Sequence, residues 1–367
     1  MMSAVFMLRR VANPPNPFTA EHCEWLDEPP AISLDVYEET AKSILSENDS
    51  PDIPFRWSLN PYRGCQHACA YCYARPYHEY LDLGAGTDFD SKITVKVNAP
   101  ELLAAELRRP RRQREQIVFS GVTDCYQPLE AVYRLTRRCL EVCLSAGNPV
   151  GIITKSYLVA RDASLLAQLN AAAGARVHMS ICFADDARAR AIEPGAPPPS
   201  RRFDAMRRLR DAGVGVGIML APLIPGLNDG DIPALLERAA ECGASSAAYT
   251  ALRLPGSVRE VFLTRLREAL PDRAARVEAR IRDMRGGQLT DPRFVSRMDG
   301  QGPYWESVRQ LFEKTASRLG LAEPPPCGAV GEPGGRTNSN PVETDREQPA
   351  GSPRDRSSHP TQLPLFE

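Results

Sequence analysis

The chain has 367 residues, of which 43% are hydrophobic and 25% charged, with a net charge of -1. This balance is typical of a soluble globular protein and excludes a polycation. The longest apolar run, residues 214–224, is too short to cross a bilayer, and residues 1–10 lack the apolar core of a signal peptide. We therefore expect a cytoplasmic protein, in which ten cysteines indicate metal binding and core packing rather than disulfides.

The first 50 residues show little periodicity, because prolines at positions 14, 15, 17, 29 and 30 interrupt any helix. We interpret residues 1–50 as an N-terminal extension that lies across the main domain. One short helix is predicted at residues 38–45, and Cys23 is interpreted as an inert thiol.

Residues 51–255 alternate between strand-like and helix-like patterns, which is typical of parallel βαβ units. The predicted strands are residues 57–62, 117–120, 150–154, 177–183, 214–220 and 247–252. The predicted helices between them include residues 101–107, 129–143, 200–212 and 231–239. We therefore predict an α/β fold.

Three features of this region lead to specific expectations. Leu129, Val132, Cys139 and Cys143 recur at helical spacing and predict a buried stripe on one helix. Asp231 is expected to cap the helix that follows it. In the fourth strand, residues 178, 180 and 182 alternate with apolar residues, and we expect this face to look into a cavity.

After residue 255 the pattern changes to helices alone, at residues 258–270, 272–284 and 304–319. We predict a C-terminal helical extension over residues 256–322. Residues 323–367 are rich in proline, glycine, serine and charge, so a disordered tail is predicted there.

Positive charge is concentrated in two groups of arginines. One group surrounds positions 108–114 and the other spans positions 201–210. Such groups can contact phosphates, but we favour the alternative that they are solvated helix faces.

Cys65, Cys69 and Cys72 follow the first predicted strand with C-x3-C-x2-C spacing. Three thiolates this close can hold one metal centre, and a four-iron, four-sulfur cluster bound by three cysteines leaves one iron open to a small molecule. The alternative is a zinc site with His67 or His78 as its fourth ligand. The spacing favours the cluster, since zinc knuckles usually contain a second pair of cysteines.

The sequence resembles the radical S-adenosylmethionine (SAM) superfamily, in the branch related to spore photoproduct lyase. The motif C-x3-C-x-aromatic-C carries this resemblance, with Tyr71 at the aromatic position. Three further segments support it: Ser-Gly-Val-Thr-Asp-Cys-Tyr-Gln-Pro-Leu-Glu at 120–130, Ile-Glu-Pro at 192–194, and Ala-Pro-Leu-Ile-Pro-Gly-Leu-Asn-Asp at 221–229. The resemblance extends from about residue 59 to 321.

The resemblance implies a partial (β/α)6 barrel, similar to a TIM barrel, as the core at residues 51–255. It also implies that Cys65, Cys69 and Cys72 bind a 4Fe-4S cluster and that Tyr71 lies near the adenine of SAM. A reduced cluster would then cleave SAM to a 5′-deoxyadenosyl radical, which abstracts hydrogen from a substrate. The electron donor would be a flavodoxin or ferredoxin.

Further residues become candidates for the SAM site. Small residues at Ser120 and Gly121 let backbone groups approach the amino and carboxylate groups of SAM. Many superfamily members have a Gly-Gly-Glu-type segment here, so Thr123 or Asp124 would have to make the amine contact in this chain. Ser180 is the candidate for the ribose hydroxyls, with Glu193 as a second.

Cys125, beside Tyr126, is a candidate catalytic residue. Spore photoproduct lyase uses a cysteine to return a hydrogen atom to its product radical, and Cys125 or Cys182 would do the same here. The alternative, which we favour on general grounds, is a buried and unreactive thiol.

The C-terminal segment resembles the peptide by which bacterial replication and repair proteins bind the sliding clamp. The residues concerned are Gln362, Leu363, Leu365 and Phe366. This motif would direct the enzyme to DNA, and damaged DNA is the first substrate hypothesis. The alternatives are the same chemistry on a protein or small molecule, and a zinc-stabilised DNA-associated protein without catalysis.

Overall fold

The structure, a computed structural model, describes residues 34–109 and 114–321. The strands in these ranges are β1 Asp35–Glu39, β2 Leu45–Glu47, β3 Trp57–Leu59, β4 Tyr62–Arg63, β5 Lys92–Lys96, β6 Ile117–Phe119, β7 Val150–Thr154, β8 Ala175–Ser180, β9 Gly215–Leu223 and β10 Ser246–Ala251. The helices are α1 Pro76–Glu79, α2 Thr87–Ser91, α3 Ala99–Leu107, α4 Glu130–Tyr133, α5 Leu135–Ala146, α6 Ala163–Ala172, α7 Asp186–Ile192, α8 Pro199–Asp211, α9 Ile232–Glu241, α10 Val258–Ala269, α11 Pro271–Met284 and α12 Pro303–Arg318. Three short 3-10 helices lie at Tyr157–Asp162, Asp229–Asp231 and Ser296–Met298.

The main sheet has seven strands in the order β10-β9-β8-β7-β6-β3-β2. Six of them, β3 and β6 to β10, run parallel and follow one another in chain order, while β2 pairs antiparallel with β3. This is the strand order of a partial (β/α)6 barrel, so the predicted α/β fold is confirmed. The carboxyl ends of these six strands meet at one rim, where ligands of parallel barrels bind.

Apolar strand residues fill the core between the sheet and its helices. Ile152, Val177, Met179 and Ile218 are fully buried, as expected where helices cover a parallel sheet. Cys139 on α5 is also fully buried. Its predicted role as a packing residue is therefore confirmed.

A second sheet of three strands, in the order β1-β5-β4, corrects one prediction. The predicted helix at residues 38–45 is wrong, because β1 pairs parallel with β5 and β2 pairs with β3. Val36 and Tyr37 favour strands, and strand pairing there overrides the weak helical pattern. The chain between β4 and β5 carries the three clustered cysteines.

Two further expectations are wrong in part. Arg134, with φ 53°, ends α4 in the left-handed conformation and separates it from α5, so the face that carries Val132 turns outward and this residue is 76% exposed. Asp231 stands at the N-cap position of α9 as expected, but its side chain makes no capping hydrogen bond. Its carboxylate instead accepts a hydrogen bond from the N–H of Ala184 at 3.0 Å and pairs with Arg188 at 3.2 Å.

Three helices follow the sheet where they were predicted. In this region α10 packs on α7 and α11, and α12 packs on α9. The boundaries between extension, core and tail stay predictions. Cys23, the tail at 323–367 and its clamp-like peptide lie outside the described residues. None of the helices within 34–109 and 114–321 is both long and apolar enough to span a membrane.

Candidate functional site

The three clustered cysteines lie on one loop that begins at the end of β4. Cys65 and Cys69 are buried, Cys72 is partly exposed, and all three are free thiols. Left-handed backbone at Gly64 (φ 77°) and Ala68 (φ 53°) turns the loop back on itself. The N–H of Cys65 donates to the Phe89 carbonyl at 2.9 Å, which fastens the start of the loop to α2.

Arg75 holds the other end of this cysteine loop. Its fully buried guanidinium donates twice to the Cys69 carbonyl, at 3.0 and 2.9 Å, and to the carbonyls of Ala85 and Gly86. It also pairs with Asp90 at 2.9 Å. Burial raises the pKa of Asp90 to about 6, although Arg75 opposes that shift. The arginine therefore fixes the loop through its carbonyls, as a bidentate donor can.

Two glutamines join the cysteine loop to the segment after β6. The side chain of Gln127 accepts from the N–H of Gln66 at 3.1 Å and donates to the Gly64 carbonyl at 3.1 Å. In return, the side chain of Gln66 accepts from the N–H of Leu129 at 3.0 Å. The loops after the first two parallel strands thus form one unit, as expected from their shared rim.

Asp124 links three segments of this rim. Its carboxylate accepts from the Thr154 hydroxyl at 2.7 Å and from the N–H groups of Lys155 and Tyr126 at 2.8 and 2.9 Å. The Nδ1 atom of His67 lies 3.3 Å from Asp124 Oδ2. Burial would raise the pKa of Asp124, but His67 and these donors lower it to about 2. Asp124 therefore has both oxygens engaged in holding the rim together.

The segment at Ser120 and Gly121 has unusual backbone conformations. Ser120 has φ 80° and Gly121 has φ 153°, and a serine in the left-handed region carries strain that often accompanies a functional site. The Ser120 hydroxyl accepts from the N–H of Cys125 at 3.1 Å, and the Gly121 carbonyl accepts from Tyr73. Thr123 donates its hydroxyl to the Tyr62 carbonyl at 3.1 Å, so its side chain is also engaged.

Lys155, which the sequence reasoning missed, enters the same region from the carboxyl end of β7. Its Nζ donates to the Ser180 hydroxyl at 2.9 Å and lies 5.6 Å from the centre of the Tyr71 ring. Burial lowers the pKa of Lys155, but Cys69 and Glu193 nearby raise it above its ordinary value. The sequence could have indicated this residue, because Lys155 directly follows a predicted buried strand at residues 150–154.

Glu193 forms a buried cluster with Arg202 and Tyr71. Its carboxylate pairs with the Arg202 guanidinium and accepts a hydrogen bond from the Tyr71 hydroxyl. Arg202 also donates to the Ser180 carbonyl at 3.0 Å. Arg202 belongs to the arginine group that we expected to be solvated, but it is fully buried. For this residue that expectation is wrong.

The two candidate hydrogen donors are both fully buried in the same apolar cluster, but they have different polar neighbours. The sulfur of Cys182 is 3.8 Å from the Tyr71 hydroxyl, and burial raises the pKa of Cys182 to about 11. Cys125 is fully buried in the apolar core, and its carbonyl accepts from Thr136 at 2.5 Å. Tyr126 is also fully buried and donates to Asp162 at 3.1 Å. Among the described contacts, Cys182 touches the Tyr71 cluster, whereas neither Cys125 nor Tyr126 does.

The histidines that we considered as zinc ligands differ in their contacts. One ring nitrogen of His78 lies 3.0 Å from the Lys92 carbonyl oxygen, and the ring packs edge-on against Phe89. His67 is buried beside Asp124. Within residues 34–109 and 114–321, no three His, Cys, Asp or Glu side chains are grouped as ligands for a single metal ion.

Comparison with known proteins identifies related chains. The model of the "Radical SAM superfamily" matches residues 59–239. An uncharacterized protein of Mycobacterium tuberculosis is 37% identical over 246 residues, which are 66% of this chain and 72% of that protein. The "Radical SAM Nalpha-GlyT isomerase" of Pseudomonas phage M6 is 26% identical over 273 residues, 71% of this chain and 51% of that protein.

Among solved structures, a spore photoproduct lyase mutant with bound AdoMet and dinucleoside spore photoproduct has a similar fold. The TM-score is 0.55 at 16% sequence identity, and the match covers 78% of this chain and 80% of the lyase. At this identity the likeness concerns the fold.

Proposed function

This chain belongs to the radical SAM superfamily, and from that premise we propose that Cys65, Cys69 and Cys72 hold its iron–sulfur cluster at the carboxyl rim of the barrel. Superfamily members are enzymes that use a 4Fe-4S cluster and SAM, and they need an electron donor. The observation that carries the proposal is the position of three free thiols on one fixed loop, near Lys155 at the carboxyl end of β7.

The donor set and its surroundings fit such a cluster. Thiolates are the ligands that iron–sulfur clusters take, and no disulfide occupies the three sulfurs. Burial raises the pKa of each thiol. Positive groups oppose this shift: Lys155 lowers the pKa of Cys69, and Arg75 lowers that of Cys72. The site therefore offers charge that would compensate bound thiolates.

Neighbouring residues are positioned to hold SAM. We assign Lys155 to the carboxylate of SAM, because its ammonium group lies at the rim and its one hydrogen bond among the described contacts is to a neutral hydroxyl. Ser120 and Gly121 would offer backbone groups to the amino acid part. Ser180 and Tyr71, which both lie near the Lys155 ammonium group, would face the ribose and adenine.

We propose structural roles, in place of direct SAM contacts, for Asp124, Thr123 and Glu193. The polar groups of all three are engaged with protein partners, so we propose that they position the rim. Asp124 fixes the backbone of Lys155, and Glu193 fixes the Tyr71 ring through its hydroxyl.

The cluster would supply one electron to the sulfonium of SAM, which releases a 5′-deoxyadenosyl radical. The protein itself has to orient SAM and keep water and oxidants away from the radical. Tyr71, Cys182 and Arg202 are buried and lie near Lys155. Cys182 is our candidate for returning a hydrogen atom, and Cys125 is assigned to core packing.

We propose that the substrate is a nucleic acid, with damaged DNA as the first candidate. Support comes from the fold shared with a lyase that was solved with a dinucleoside photoproduct. The C-terminal clamp-like peptide at Gln362, Leu363, Leu365 and Phe366 remains a prediction that agrees with such a substrate. A protein or small-molecule substrate is the second candidate, since the superfamily fold alone does not fix the substrate.

Anaerobic reconstitution with iron and sulfide tests this proposal. The reduced protein should convert SAM to 5′-deoxyadenosine, and deuterium from a labelled substrate should appear in that product. A colourless protein that binds one zinc ion and leaves SAM intact would reject the proposal. Deuterium transfer from a peptide library, and none from irradiated DNA, would select the second candidate.

A further inference from the structure

Three segments meet at the rim beside the cysteine loop, outside the groups assigned above. The first is Tyr73–Tyr80, which continues from Cys72. The second follows β10, where a Cβ on Gly256 would lie 3.8 Å from Pro76 Cγ. The third is the loop at residues 291–299. The buried guanidinium of Arg285 joins the last two, because it donates to the carbonyls of Leu252 and Arg297 at 2.9 and 3.0 Å.

Arg253 lies where these segments meet, two residues past the end of β10. It is partly buried, and its guanidinium acts electrostatically on the hydroxyls of Tyr73 and Tyr77. Its one hydrogen bond within residues 34–109 and 114–321 is to the sulfur of Met298 at 3.4 Å, a weak acceptor. The nearby Asp52 is engaged by Arg297 and by the N–H of Val295.

The loop at 291–299 presents apolar side chains at this rim. Phe294 and Val295 are 46% and 70% exposed. The guanidinium of Arg297 covers one side of the Phe294 ring at 4.2 Å from its centre. Val295 has φ 67°, a conformation that a β-branched residue adopts only when its surroundings impose it. Such imposed strain is common at ligand clamps.

We propose that Arg253 binds a phosphate of the substrate strand and that Phe294 stacks on an adjacent base, so that this rim positions an unpaired nucleic acid over the radical site. Asp52 acts on Arg253 electrostatically, but among the described residues no carboxylate forms a hydrogen bond with its guanidinium. Such an arginine can take a phosphodiester in bidentate fashion. An aromatic face backed by a guanidinium is the stacking platform that single strands use. This inference rests on the proposed function, because it names the residues that would recognise the proposed substrate class.

The test is binding of a short, labelled single-stranded oligodeoxynucleotide to the reconstituted protein, measured by fluorescence anisotropy over a series of salt concentrations. Arg253→Ala should weaken binding about tenfold, the size of a lost charge-assisted hydrogen bond. It should also make the salt dependence shallower by about 0.7 in the log–log slope, as for one lost phosphate contact on a single strand. Arg253→Lys should retain the slope, and Phe294→Ala should weaken binding without changing it.

Arg176→Ala is the matched control. This arginine lies near the amino end of β8, at the edge of the sheet opposite the rim, and its side chain is partly exposed. Formation of 5′-deoxyadenosine without substrate is measured on each variant. It should persist in Arg253→Ala, which separates loss of substrate contact from failure of the radical chemistry. An unchanged slope in Arg253→Ala, equal weakening in Arg176→Ala, or displacement of the oligonucleotide by an acidic peptide of equal charge at equal concentration would overturn the proposal.

Discussion

The ammonium group of Lys155 donates a hydrogen bond to the Ser180 hydroxyl across 2.9 Å, and this contact joins the carboxyl ends of β7 and β8. Ser180 in turn donates to the Ala221 carbonyl at 3.2 Å at the end of β9. These two hydrogen bonds connect the carboxyl ends of three adjacent strands, β7, β8 and β9. This arrangement is the reason why we propose Lys155 as the partner of an anionic group of SAM.

The first prediction concerns Lys155. Lys155→Met should weaken SAM binding by about 10- to 100-fold, because one charge-assisted hydrogen bond is lost. Equilibrium binding of SAM to the reconstituted protein measures this effect, with iron and sulfide content as a check on the cluster. Lys314→Met, at an exposed position of α12, is the control and should bind SAM normally. Unchanged SAM affinity in Lys155→Met would remove this residue from the SAM site.

The second prediction concerns the buried pair of Arg202 and Glu193. Arg202→Met leaves the Glu193 carboxylate buried without its partner, so the free energy of unfolding should fall by about 3–5 kcal/mol. The double variant Glu193→Gln with Arg202→Met removes both charges and should be more stable than Arg202→Met alone. Denaturant unfolding of the three proteins tests this order. Equal stability of the single and double variants would show that the pair is not coupled.

The third prediction concerns acid. Burial, and Arg176 to a lesser degree, lower the pKa of His178 to about 4, whereas an unfolded histidine titrates near 6.5. Between these two values the unfolded chain therefore binds one more proton than the folded chain. The free energy of unfolding should fall by about 1.4 kcal/mol for each unit by which the pH is lowered across this window. His178 faces Ser246 at 3.4 Å and the close backbone of Gly217.

His178→Gln removes that titration. The drop in denaturant midpoint between neutral and acid pH should be smaller in this variant than in the wild-type protein. Equal drops in the two proteins would mean that His178 is not the group responsible.

The fourth prediction separates the two cysteines that are candidate hydrogen donors. In heavy water, turnover of a nucleic acid substrate should place deuterium in the product through an exchangeable thiol. Cys182→Ala should lose this label while it continues to cleave SAM. Cys125→Ala should keep the label, and both variants should lose some stability, because both thiols lie fully buried in the apolar core. The opposite pattern would assign the role to Cys125.

The six parallel strands of the main sheet and the cysteine loop could be predicted from the sequence because their signals are local. Buried parallel strands such as β9 form continuous apolar runs, and the C-x3-C-x2-C spacing needs no distant partner. The strand β1 was missed because its partner β5 lies more than 50 residues further along the chain, and no local pattern encodes that pairing.

Side-chain partners within the site were harder to predict than its location. Asp124 and Glu193 are predicted SAM contacts, and the structure shows that residues from other parts of the fold engage both carboxylates. Arg202 resembled its solvated neighbours in sequence, and only the folded chain buries it against Glu193. Such pairings depend on three-dimensional distance, which composition and spacing do not contain.

The most direct measurement is formation of 5′-deoxyadenosine from SAM by reconstituted, reduced protein in which Cys65, Cys69 or Cys72 is replaced by alanine. Each replacement should abolish the product and the brown colour of the cluster, because three thiolates are needed to hold it. Cys139→Ala, at a buried packing position on α5, should retain both. Undiminished 5′-deoxyadenosine formation in any one of the three variants would contradict the account.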